Sequence, residues 1–402
     1  MRWRAGLLLL AFLAAGFPGP ARTSPAGRMS ETMNPLPDIA LPSGARAVSL
    51  GFEALPGWSG DDHAAAFTAF LETCRPLVEN GAALRAAVPT PPALIEICRR
   101  ALDLGAGSTA GEARAFFEAS FTPYEIIPAG GGGFLTAYFE PVTEASLEQS
   151  AEFPVPVLGR PIDLVTLQPG ETLAFPFDQL QAARRTVGGL EPFATRAAIW
   201  AGALDGQGLE IAWLRDHAEL FITQVQGSAR LRLPDGRMTR LVYAGRNGHP
   251  YTSIGRKLVE SGEITLAEMS LARLMGWLRA HSARGRALME ENLSYVFFAR
   301  DDSAPQDRGP IGGAGVPLTA GRSLAIDRTI WPYGLPVQIA VETLVPEGGR
   351  RKIERLMIAQ DTGSAIVGPA RGDYFMGTGP EAGEKAGLVR DACRFVLLWP
   401  KG

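Results

Sequence analysis

The sequence holds few of the residues that bind metal ions. Its 402 residues include only three cysteines and four histidines. No two histidines lie at the i and i+4 spacing that would place a zinc-binding pair on one face of a helix. The histidines are scattered, at His63, His217, His249 and His281. Metal catalysis is therefore disfavoured, and no cofactor or metal is predicted.

An excess of positive charge is also absent. The formal net charge is -3, and acidic and basic residues are interleaved without a basic patch or stripe. A protein that binds nucleic acid needs clustered cations to displace the counterions of the phosphate backbone. The glycine run 130–133 lacks the lysine and helix start of a phosphate-binding loop, so we interpret it as a connector. No nucleic acid partner is expected.

Long apolar runs are scarce. The clearest one, residues 7–17, is too short to span a bilayer, which needs ~20 apolar residues. Arg2 and Arg4 precede it, as in an export signal. We therefore predict a signal peptide over residues 1–23, a periplasmic or cell-envelope location, and no transmembrane segment in the mature chain. No cysteine follows the run for lipid attachment. A retained membrane anchor is the alternative.

The three cysteines are Cys74, Cys98 and Cys393. The first two lie on the apolar faces of two predicted helices that are joined by a bend containing Pro and Gly. An antiparallel helix pair could bring them together, and an oxidising compartment would permit a disulfide. Two buried thiols are the alternative.

Glycine and proline are abundant, with 47 and 31 residues, which favours short strands joined by turns over a helical bundle. Residues 24–60 are rich in Pro, Gly and Ser and are predicted to form a loose lead-in. Apolar residues then recur at spacings of three and four after Asp62 and after Pro92. Thr109-Ala-Gly-Glu112 has the form of a capping box. Three helices are therefore predicted before residue 130.

Short alternating or β-branched runs dominate the region that follows. Strands are predicted at 134–139, 155–158, 209–214 and 220–225. Residues 231–237 have the turn chemistry of a hairpin. Two helices are expected next, one over 254–261 and one opened by a capping box at 265–268, before strands return after residue 293. This order suggests one domain interrupted by another.

Three aspartates in the last third stand in unusual contexts: Asp327, Asp361 and Asp373. Apolar, strand-like residues flank Asp361 on both sides, with a tight turn at 362–364. A carboxyl group among apolar neighbours loses hydration, which disfavours its charged form and raises its pKa. Such a group keeps its proton near neutrality and can donate it to a leaving oxygen. The alternative is a turn aspartate that accepts hydrogen bonds from nearby backbone N–H groups.

Seven motifs follow one another in the last two thirds of the chain. They are FLTAYFEP at 134–141, QVQGS at 224–228, NGHPYTSIGR at 247–256, SYVFF at 294–298, VPLT at 316–319, RSLAIDR at 322–328 and QDTGSAIVG at 360–368. In these motifs and in their order the chain resembles the membrane-bound lytic murein transglycosylase A family, whose C-terminal part is called the 3D domain after three aspartates.

The resemblance implies a mainly β, α+β fold. A double-psi β-barrel domain would be interrupted by a smaller β domain, with a groove between them that binds the glycan strands of peptidoglycan. The large domain would comprise residues 61–135 and 246–402, with a helical N-terminal part, and the inserted domain residues 136–245. The family namesake is a lipoprotein, so the missing lipid-attachment cysteine points to a soluble periplasmic member.

By motif position, Asp361 matches the catalytic aspartate, and Asp327 and Asp373 match two supporting aspartates. The resemblance also implies a set of residues near the substrate: Thr136, Tyr138, Gln226, Gly227, Ser228, Tyr251, Arg322, Thr362 and Gly363. Structural alternatives exist for several of them. The tyrosines could be core or rim aromatics, Gln226 a barrel hydrogen-bond partner, and Arg322 an ion-pair partner of a supporting aspartate.

The implied activity is that of a peptidoglycan lytic exotransglycosylase. Asp361 would protonate the oxygen that links N-acetylmuramic acid to N-acetylglucosamine. The ionised Asp361 would then take the proton of the muramyl C6 hydroxyl, which attacks C1 of its own sugar and leaves a 1,6-anhydro end. One carboxyl group is enough because the attack is intramolecular, whereas ordinary glycosidases need two. The alternatives are a two-carboxylate hydrolase and a non-catalytic, exported glycan-binding protein.

Overall fold

The computed structural model describes residues 41–167 and 171–402. The predicted signal peptide lies outside these residues. The described chain forms two compact units. Unit 1 comprises residues 139–167, 171–310 and 378–387, and unit 2 comprises residues 41–138, 311–377 and 388–402. Within the described parts of both units, we find no helix with the length and hydropathy needed to cross a bilayer.

The chain is a mixed α+β protein made mostly of sheets, as predicted. Its α-helices are α1 His63–Val78, α2 Pro92–Leu104, α3 Ala110–Ser120, α4 Arg196–Trp200, α5 His217–Gln226, α6 Ile254–Glu260, α7 Leu271–Ala280, α8 Ser282–Glu290 and α9 Pro380–Ala386. Its strands are β1 Arg46–Ser49, β2 Phe121–Ile127, β3 Gly133–Glu140, β4 Val142–Ser146, β5 Val155–Leu158, β6 Leu164–Thr166, β7 Ala182–Thr186, β8 Gly189–Pro192, β9 Glu210–Leu214, β10 Ala229–Arg232, β11 Met238–Arg246, β12 Val296–Asp301, β13 Ser323–Ala325, β14 Pro336–Leu344, β15 Arg350–Asp361, β16 Arg371–Thr378 and β17 Arg390–Pro400.

Unit 2 is built on an eight-stranded sheet in the order β1-β2-β17-β14-β15-β13-β16-β3. Strand β3 also pairs with β17, so the run from β17 to β3 closes into a ring. Closure gives each strand of the ring a partner on both sides, which removes free edges. The short strand β13 runs parallel to β15 and antiparallel to β16, so it lies between the two strands that carry Asp361 and Asp373.

The three predicted N-terminal helices are confirmed as α1, α2 and α3. The side chain of Asp62 caps α1 by accepting a hydrogen bond from the backbone N–H of Ala65 at 3.0 Å. The capping box at the start of α3 makes both of its bonds, between Thr109 and Glu112. A cap of this kind contributes about 1 kcal/mol because it satisfies N–H groups that the first helical turn leaves without a partner.

The described part of the predicted lead-in is ordered, which corrects the expectation of a loose segment. Strand β1 pairs with β2 in an antiparallel register from Arg46 opposite Ile127. Trp58 lies in a short 3-10 helix, is 2% exposed and donates a hydrogen bond from Nε1 to Glu118 at 2.8 Å. Burial of this indole ties the segment to the core of unit 2, although its Pro- and Gly-rich composition resembles that of a linker.

Cys74 and Cys98 form a disulfide that joins α1 to α2, which answers the question that the sequence left open. Both residues are fully buried. The cross-link spans 24 positions of the sequence and encloses the bend between the two helices. Cys393 is a free, buried thiol on β17.

We expect the disulfide to stabilise the protein by about 3 kcal/mol, because a cross-link across a loop of this length restricts the unfolded chain. Urea unfolding of the oxidised protein and of the protein reduced with dithiothreitol measures the difference. The double variant Cys74→Ala/Cys98→Ala is the control, since its unfolding should not respond to the reductant. Equal midpoints for oxidised and reduced wild type would contradict the prediction.

Unit 1 contains a six-stranded sheet in the order β12-β11-β10-β4-β9-β5 and a three-stranded sheet in the order β6-β7-β8. The hairpin predicted at 231–237 is confirmed, because β10 and β11 pair in an antiparallel register with Arg232 opposite Met238. The six-stranded sheet buries its own apolar cluster, which includes Leu214, Leu231 and Leu241. Unit 1 therefore has a core of its own.

The predicted strand at 220–225 is wrong, because these residues belong to helix α5. Asp216 caps this helix, with its carboxylate accepting a hydrogen bond from the N–H of Glu219 at 2.7 Å. A short apolar run fits either a strand or a buried helix, and here the cap and burial on several sides decide for the helix. Phe221, for example, is fully buried.

The helix expected to open at residue 265 begins later. Thr265 and Glu268 do make the two reciprocal hydrogen bonds of a capping box, but these bonds close only a turn. Helix α7 begins at Leu271 and is capped by Ser270, whose hydroxyl accepts a hydrogen bond from the N–H of Arg273 at 3.2 Å. A separate helix, α8, follows it and was not predicted.

The boundaries of unit 1 differ from those predicted for the inserted domain. Residues 246–310 lie in unit 1, as do residues 378–387. Strand pairing explains the first difference, because β11 pairs with β12 from Arg246 opposite Val296 to Arg240 opposite Asp301. Sequence order alone does not reveal such a pairing across an intervening helical segment.

Candidate active site

Asp361 is the last residue of β15 and lies at a β-bulge. Leu324 of β13 pairs with Ala359, but the next residue, Ala325, pairs with Asp361, which leaves Gln360 as the extra residue. A bulge bends its strand and redirects the side chains that follow it, and bulges are common beside active sites. The irregularity therefore determines where the carboxyl group of Asp361 points.

The bulge is locked by the side chain of Gln360, which is fully buried. Its Nε2 donates hydrogen bonds to the backbone oxygen of Ala69 and to Oγ1 of Thr73, both at 2.8 Å. Its Oε1 accepts one from the hydroxyl of Ser323 at 2.5 Å. Helix α1 and strand β13 thus hold the residue that precedes Asp361, which limits the freedom of the aspartate itself.

Three donors hold the carboxyl group of Asp361. Oδ1 accepts hydrogen bonds from the backbone N–H of Gly313 at 2.7 Å and of Thr362 at 2.8 Å. Oδ2 accepts one from the hydroxyl of Tyr138 at 2.6 Å. Burial raises the pKa of Asp361 above its ordinary value, although these hydrogen bonds and the charge of Arg85 oppose the rise. The residue is only partly exposed, as an acid that must still reach a substrate requires.

Tyr138 lies on β3, and its ring is 5.4 Å from that of Phe375, centroid to centroid. Burial, and then the negative charge of Asp361, raise the pKa of Tyr138 well above its ordinary value. The phenol therefore keeps its proton and remains a hydrogen-bond donor to Asp361.

Asp373 is the centre of a second polar chain. Its Oδ1 accepts a hydrogen bond from the hydroxyl of Thr136 at 2.5 Å, and Oγ1 of Thr136 in turn accepts one from Arg371 at 2.5 Å. Burial raises the pKa of Asp373 to about 6, with the nearby charge of Asp361 adding to the rise, and Arg371 and Thr136 opposing it. Asp373 therefore loses its proton at a higher pH than an ordinary aspartate does.

Ala325 lies between Asp361 and Asp373 in the sheet. It pairs with Asp361 on β15 and with Asp373 on β16. Residues that are directly paired place their side chains on the same face of a sheet, and two strand spacings put the Cα atoms of the aspartates roughly 10 Å apart. The methyl group of Ala325 leaves room between the two carboxyl side chains.

Asp327 is 5% exposed, and both of its carboxyl oxygens accept hydrogen bonds. Oδ1 accepts from the N–H of Thr329 at 3.0 Å and from its hydroxyl at 2.6 Å. Oδ2 accepts from the N–H of Gly368 at 2.8 Å. These bonds connect the turn after β13 to the loop that precedes β16, which is the geometry of a scaffold residue.

Arg322 forms an ion pair, but with a residue that the sequence did not suggest. Its guanidinium donates two hydrogen bonds to Asp61, both at 2.9 Å, and one to the backbone oxygen of Leu356 at 2.8 Å. The alternative of a pair with Asp327 or Asp373 is therefore not observed. The side chains of Arg322 and Asp61 are 8% and 6% exposed, so the pair stabilises the interior of unit 2.

Thr362 and Gly363 follow Asp361 directly. The hydroxyl of Thr362 donates a hydrogen bond to the backbone oxygen of Ile326 at 2.9 Å, which ties the turn to the end of β13. Gly363 is partly exposed. The expected strand-like segment at 365–367 is a turn and loop, so the apolar residues after Asp361 do not continue the sheet.

Four of the predicted substrate residues lie in unit 1. Gln226 accepts a hydrogen bond at Oε1 from the N–H of Phe139 at 3.1 Å. Gly227 ends α5 with φ of 82°, a left-handed conformation that favours glycine. Ser228 is 7% exposed, and burial raises the pKa of Tyr251 well above its ordinary value. These four residues belong to a different unit from the aspartates.

Two residues beside Asp361 were missed from the sequence. Gly313 lies in the glycine-rich string Gly312-Gly313-Ala-Gly315, which was a readable signal of close backbone approach. A Cβ atom at Gly313 would lie 2.5 Å from the hydroxyl oxygen of Tyr333, so a side chain there would force Tyr333 to shift. Arg85 lies in the bend between α1 and α2, where the sequence pattern indicates no function.

A fixed, partly exposed carboxylic acid with a raised pKa, here at the end of a strand of the closed ring, is the kind of group that general acid–base chemistry uses. In the two described segments, no group of three or more His, Cys, Asp or Glu side chains could hold a metal ion. Comparison with known proteins then identifies the family.

Residues 134–299 match the MltA-specific insert domain, and residues 322–399 match the 3D domain. A protein of Vibrio cholerae named membrane-bound lytic murein transglycosylase A is 36% identical over 68% of this chain and 66% of its own length. The match thus spans slightly less than two thirds of that relative.

Two solved structures are similar over most of their length. A membrane-bound lytic murein transglycosylase from Agrobacterium tumefaciens is 38% identical, with a TM-score of 0.79 over 88% of this chain and 97% of its own. Escherichia coli MltA, solved with bound chitohexaose, is 26% identical, with a TM-score of 0.64 over 94% of this chain and 100% of its own. The chain belongs to the membrane-bound lytic murein transglycosylase A family, and the resemblance is confirmed.

Proposed function

We propose that the chain is a peptidoglycan lytic transglycosylase. It cleaves the β-1,4 bond between N-acetylmuramic acid and N-acetylglucosamine, with Asp361 acting first as acid and then as base. The observation that carries the proposal is the carboxyl group of Asp361, which is partly exposed, has a raised pKa and is held by three donors. A group in this state can both give and take a proton.

The acid step uses Oδ2 of Asp361. Oδ1 already accepts two backbone N–H bonds, and backbone amides are fixed donors that cannot turn away. Among the described residues, Oδ2 has a single partner, the hydroxyl of Tyr138, which can rotate about its C–O bond and accept as well as donate. The transferable proton therefore resides on Oδ2, from which it passes to the glycosidic oxygen as the bond to C1 of the muramyl ring breaks.

The base step uses the same atom after it has ionised. The muramyl C6 hydroxyl gives its proton to Oδ2 and attacks C1 of its own ring, which closes the 1,6-anhydro product and restores the protonated Asp361. The attack is intramolecular, so the entropy of recruiting a second reactant is largely avoided. Tyr138 and the two backbone N–H groups stabilise the carboxylate between the steps, in place of the water that burial removes.

Known relatives support a glycan substrate. The relative from Vibrio cholerae is named a lytic murein transglycosylase, and murein is peptidoglycan. The Escherichia coli relative was crystallised with chitohexaose, an oligosaccharide with the same β-1,4 linkage. We carry this substrate class over to the present chain, with peptidoglycan glycan strands as its partner and exo action as the expected mode.

The supporting residues are assigned roles by their contacts. Asp373 acts on the charge balance of Asp361, and Thr136 holds Asp373 in place. Asp327 and Arg322 maintain the scaffold of unit 2. We further propose that the closed ring of strands is a double-psi barrel, and that residues Gln226, Gly227, Ser228, Tyr251, Thr362 and Gly363 contact the glycan.

We also propose that the mature protein acts in the periplasm or cell envelope after export. The motif of residues 1–23, two arginines followed by an apolar run, supports export, and peptidoglycan is found only there.

Digestion of purified cell-wall sacculi tests the function. Turbidity should fall with the wild type, and mass spectrometry of the released fragments should show 1,6-anhydro ends. Fragments heavier by one water, with free reducing ends, would indicate a two-carboxylate hydrolase instead. Binding to sacculi without any loss of turbidity, in wild type as in Asp361→Ala, would indicate a glycan-binding protein.

Tyr138→Phe should lower kcat by about one to two orders of magnitude, because a hydrogen bond to an ionised group is worth about 1.5–3 kcal/mol. The loss of this donor also raises the pKa of Asp361 further. Since Asp361 must be protonated to act as acid, activity falls as pH rises through its pKa. The upper limb of the pH–kcat profile should therefore move to higher pH in the variant.

Tyr374→Phe is the matched control, since Tyr374 is a buried tyrosine (5% exposed) on the neighbouring strand β16. Its kcat and pH profile should equal those of the wild type. An unchanged kcat in Tyr138→Phe would remove the hydroxyl from the mechanism.

A further inference from the structure

Both backbone donors to Oδ1 of Asp361 belong to residues that Arg85 also holds. The backbone N–H of Arg85 donates to the oxygen of Gly313 at 3.0 Å. Its side chain donates from Nη1 to the oxygen of Thr362 at 3.2 Å. Gly313 and Thr362 are the two residues whose N–H groups bind Oδ1, at 2.7 and 2.8 Å. One arginine, 276 positions before Asp361 in the sequence and unassigned by the motifs, therefore bridges both donors.

The orientation of the N–H of Gly313 depends on hydrogen bonds from other residues more than that of a non-glycine residue would. Glycine has the largest conformational freedom of any residue, so the direction of its N–H is weakly determined by its own backbone. The N–H and the carbonyl of one residue are separated by only two soft dihedral angles, and a bond to the carbonyl therefore restricts the N–H. The next N–H, that of Ala314, donates to the oxygen of Gln360 at 2.9 Å, which holds the loop from its other side.

The charge of Arg85 acts in the same place. It favours the ionised form of Asp361 and so limits the rise of the pKa that burial causes. The side chain is only partly exposed, so water screens this charge less than it would on an open surface. Arg85 therefore both holds the donors of Asp361 in position and supplies a positive charge beside it.

The segment that carries Arg85 is itself restrained. The N–H of Val88 donates to the oxygen of Arg328 at 2.9 Å, and Nη1 of Arg328 donates to the oxygen of Ala86. The disulfide between Cys74 and Cys98 closes the loop that contains the segment. A bend between two helices is thus fixed at both ends and at its middle, which a simple connector does not require.

We propose that Arg85 is a positioning residue for the acid–base chemistry of Asp361: it aims the N–H groups of Gly313 and Thr362 at Oδ1 and supplies a compensating positive charge. The inference rests on the proposed function, which it deepens. Arg85 itself need not touch the substrate, so its loss should affect kcat and leave KM nearly unchanged.

Arg85→Gln and Arg85→Lys separate position from charge. Both variants keep the backbone bond to Gly313 and alter the side-chain bond to the oxygen of Thr362. The first also removes the charge, whereas the second keeps a cation that lacks the planar fork of donors. Arg85→Gln should lower kcat roughly tenfold or more, since small misplacements of catalytic groups have effects of this size. Its upper pH limb should move to higher pH, because the cation that favours the carboxylate is gone. Arg85→Lys should lower kcat but keep the pH limb of the wild type.

Arg99→Gln is the matched control. Arg99 follows in helix α2, where it pairs with Glu96 on the surface, and its side chain is 55% exposed. The Arg99→Gln variant should match the wild type in kcat, KM and pH profile. Kinetics are measured on soluble glycan strands, with the folded fraction of each variant taken from its circular dichroism spectrum.

An unchanged kcat and pH profile in Arg85→Gln would overturn the proposal. So would equal shifts of the pH limb in the Gln and Lys variants, or a change confined to KM. Should Arg85→Gln fail to fold, the Lys variant decides by its kcat: a value equal to that of the wild type overturns the proposal. Failure of the proposed function would look different, since the wild type itself would then release no anhydro ends.

Discussion

Asp361→Asn is expected to lower kcat by about 10²–10⁴-fold, the range that general acid–base groups contribute. The substitution preserves the shape of the side chain. Its amide oxygen can accept the N–H bonds of Gly313 and Thr362, and its NH2 group can donate to the hydroxyl oxygen of Tyr138. The fold and the hydrogen-bond pattern are retained, whereas the proton that both chemical steps need is lost.

The same variant should be as stable as the wild type or more stable. An amide carries no charge, so the cost of burying an ionisable group disappears, and active-site carboxyls are commonly held at the expense of stability. Urea unfolding of both proteins checks this, and Asp391→Asn on β17 serves as the activity control. An active Asp361→Asn protein would remove Asp361 from its assigned role.

Asp61→Ala is expected to lower the free energy of unfolding by about 3–5 kcal/mol, because it leaves the guanidinium of Arg322 buried without its counter-charge. The N–H of Leu356 would lose its acceptor as well, since it donates to Asp61 at 2.6 Å. Urea denaturation measures the loss. Glu96→Ala is the matched control: it breaks an exposed pair with Arg99, and exposed pairs contribute only about 0–1 kcal/mol.

The difference between wild type and Asp61→Ala should shrink in acid. Burial alone would raise the pKa of Asp61, but the hydrogen bonds from Arg322 and Leu356 and the charge of Arg322 lower it below the ordinary value. A lowered pKa in the folded state means that the pair stabilises above the unfolded pKa and loses this contribution as pH falls through the folded pKa. A difference that stayed constant into strong acid would contradict the ion-pair explanation.

Local patterns were sufficient to predict the helix starts at Asp62 and Thr109, because a cap depends on a side chain and an N–H only a few residues away. The same kind of local pattern gave a wrong prediction at Thr265, where the capping-box bonds form but no helix begins. The apolar run at 220–225 fits either a strand or a helix. Its burial among other elements favours the helix.

The candidate site shows more clearly which features a single sequence reveals and which it does not. Asp361 was accessible to sequence reasoning because its apolar neighbours predict a raised pKa, and the family motifs point to it. The bulge at Gln360 was not accessible, since it depends on pairing with β13 and on a hydrogen bond to Ala69 of α1. Gly313 contributes through its backbone N–H, and Arg85 through its backbone N–H, its side chain and its charge. Both lie far from Asp361 in the sequence, so no local pattern connects them to it.

For Arg322, the ion pair suggested by the sequence forms, but its partner is a different aspartate. Its position beside Asp327 in the sequence suggested an aspartate of the same motif, whereas the observed partner, Asp61, lies 261 positions away. Contacts at such separations follow from strand order in the closed ring and from the packing of the N-terminal segment on it. Neither can be read from a single sequence.

The carboxyl group of Asp361 is expected to hold its proton at a pH where ordinary aspartates have lost theirs. The most direct test is a pH titration of the protein labelled with 13C at its aspartate carboxyls, with Asp361→Asn used to assign the Asp361 signal by its disappearance. We expect this signal to titrate at a pKa above the ordinary aspartate value of 3.8. Titration at or below that value would contradict this expectation.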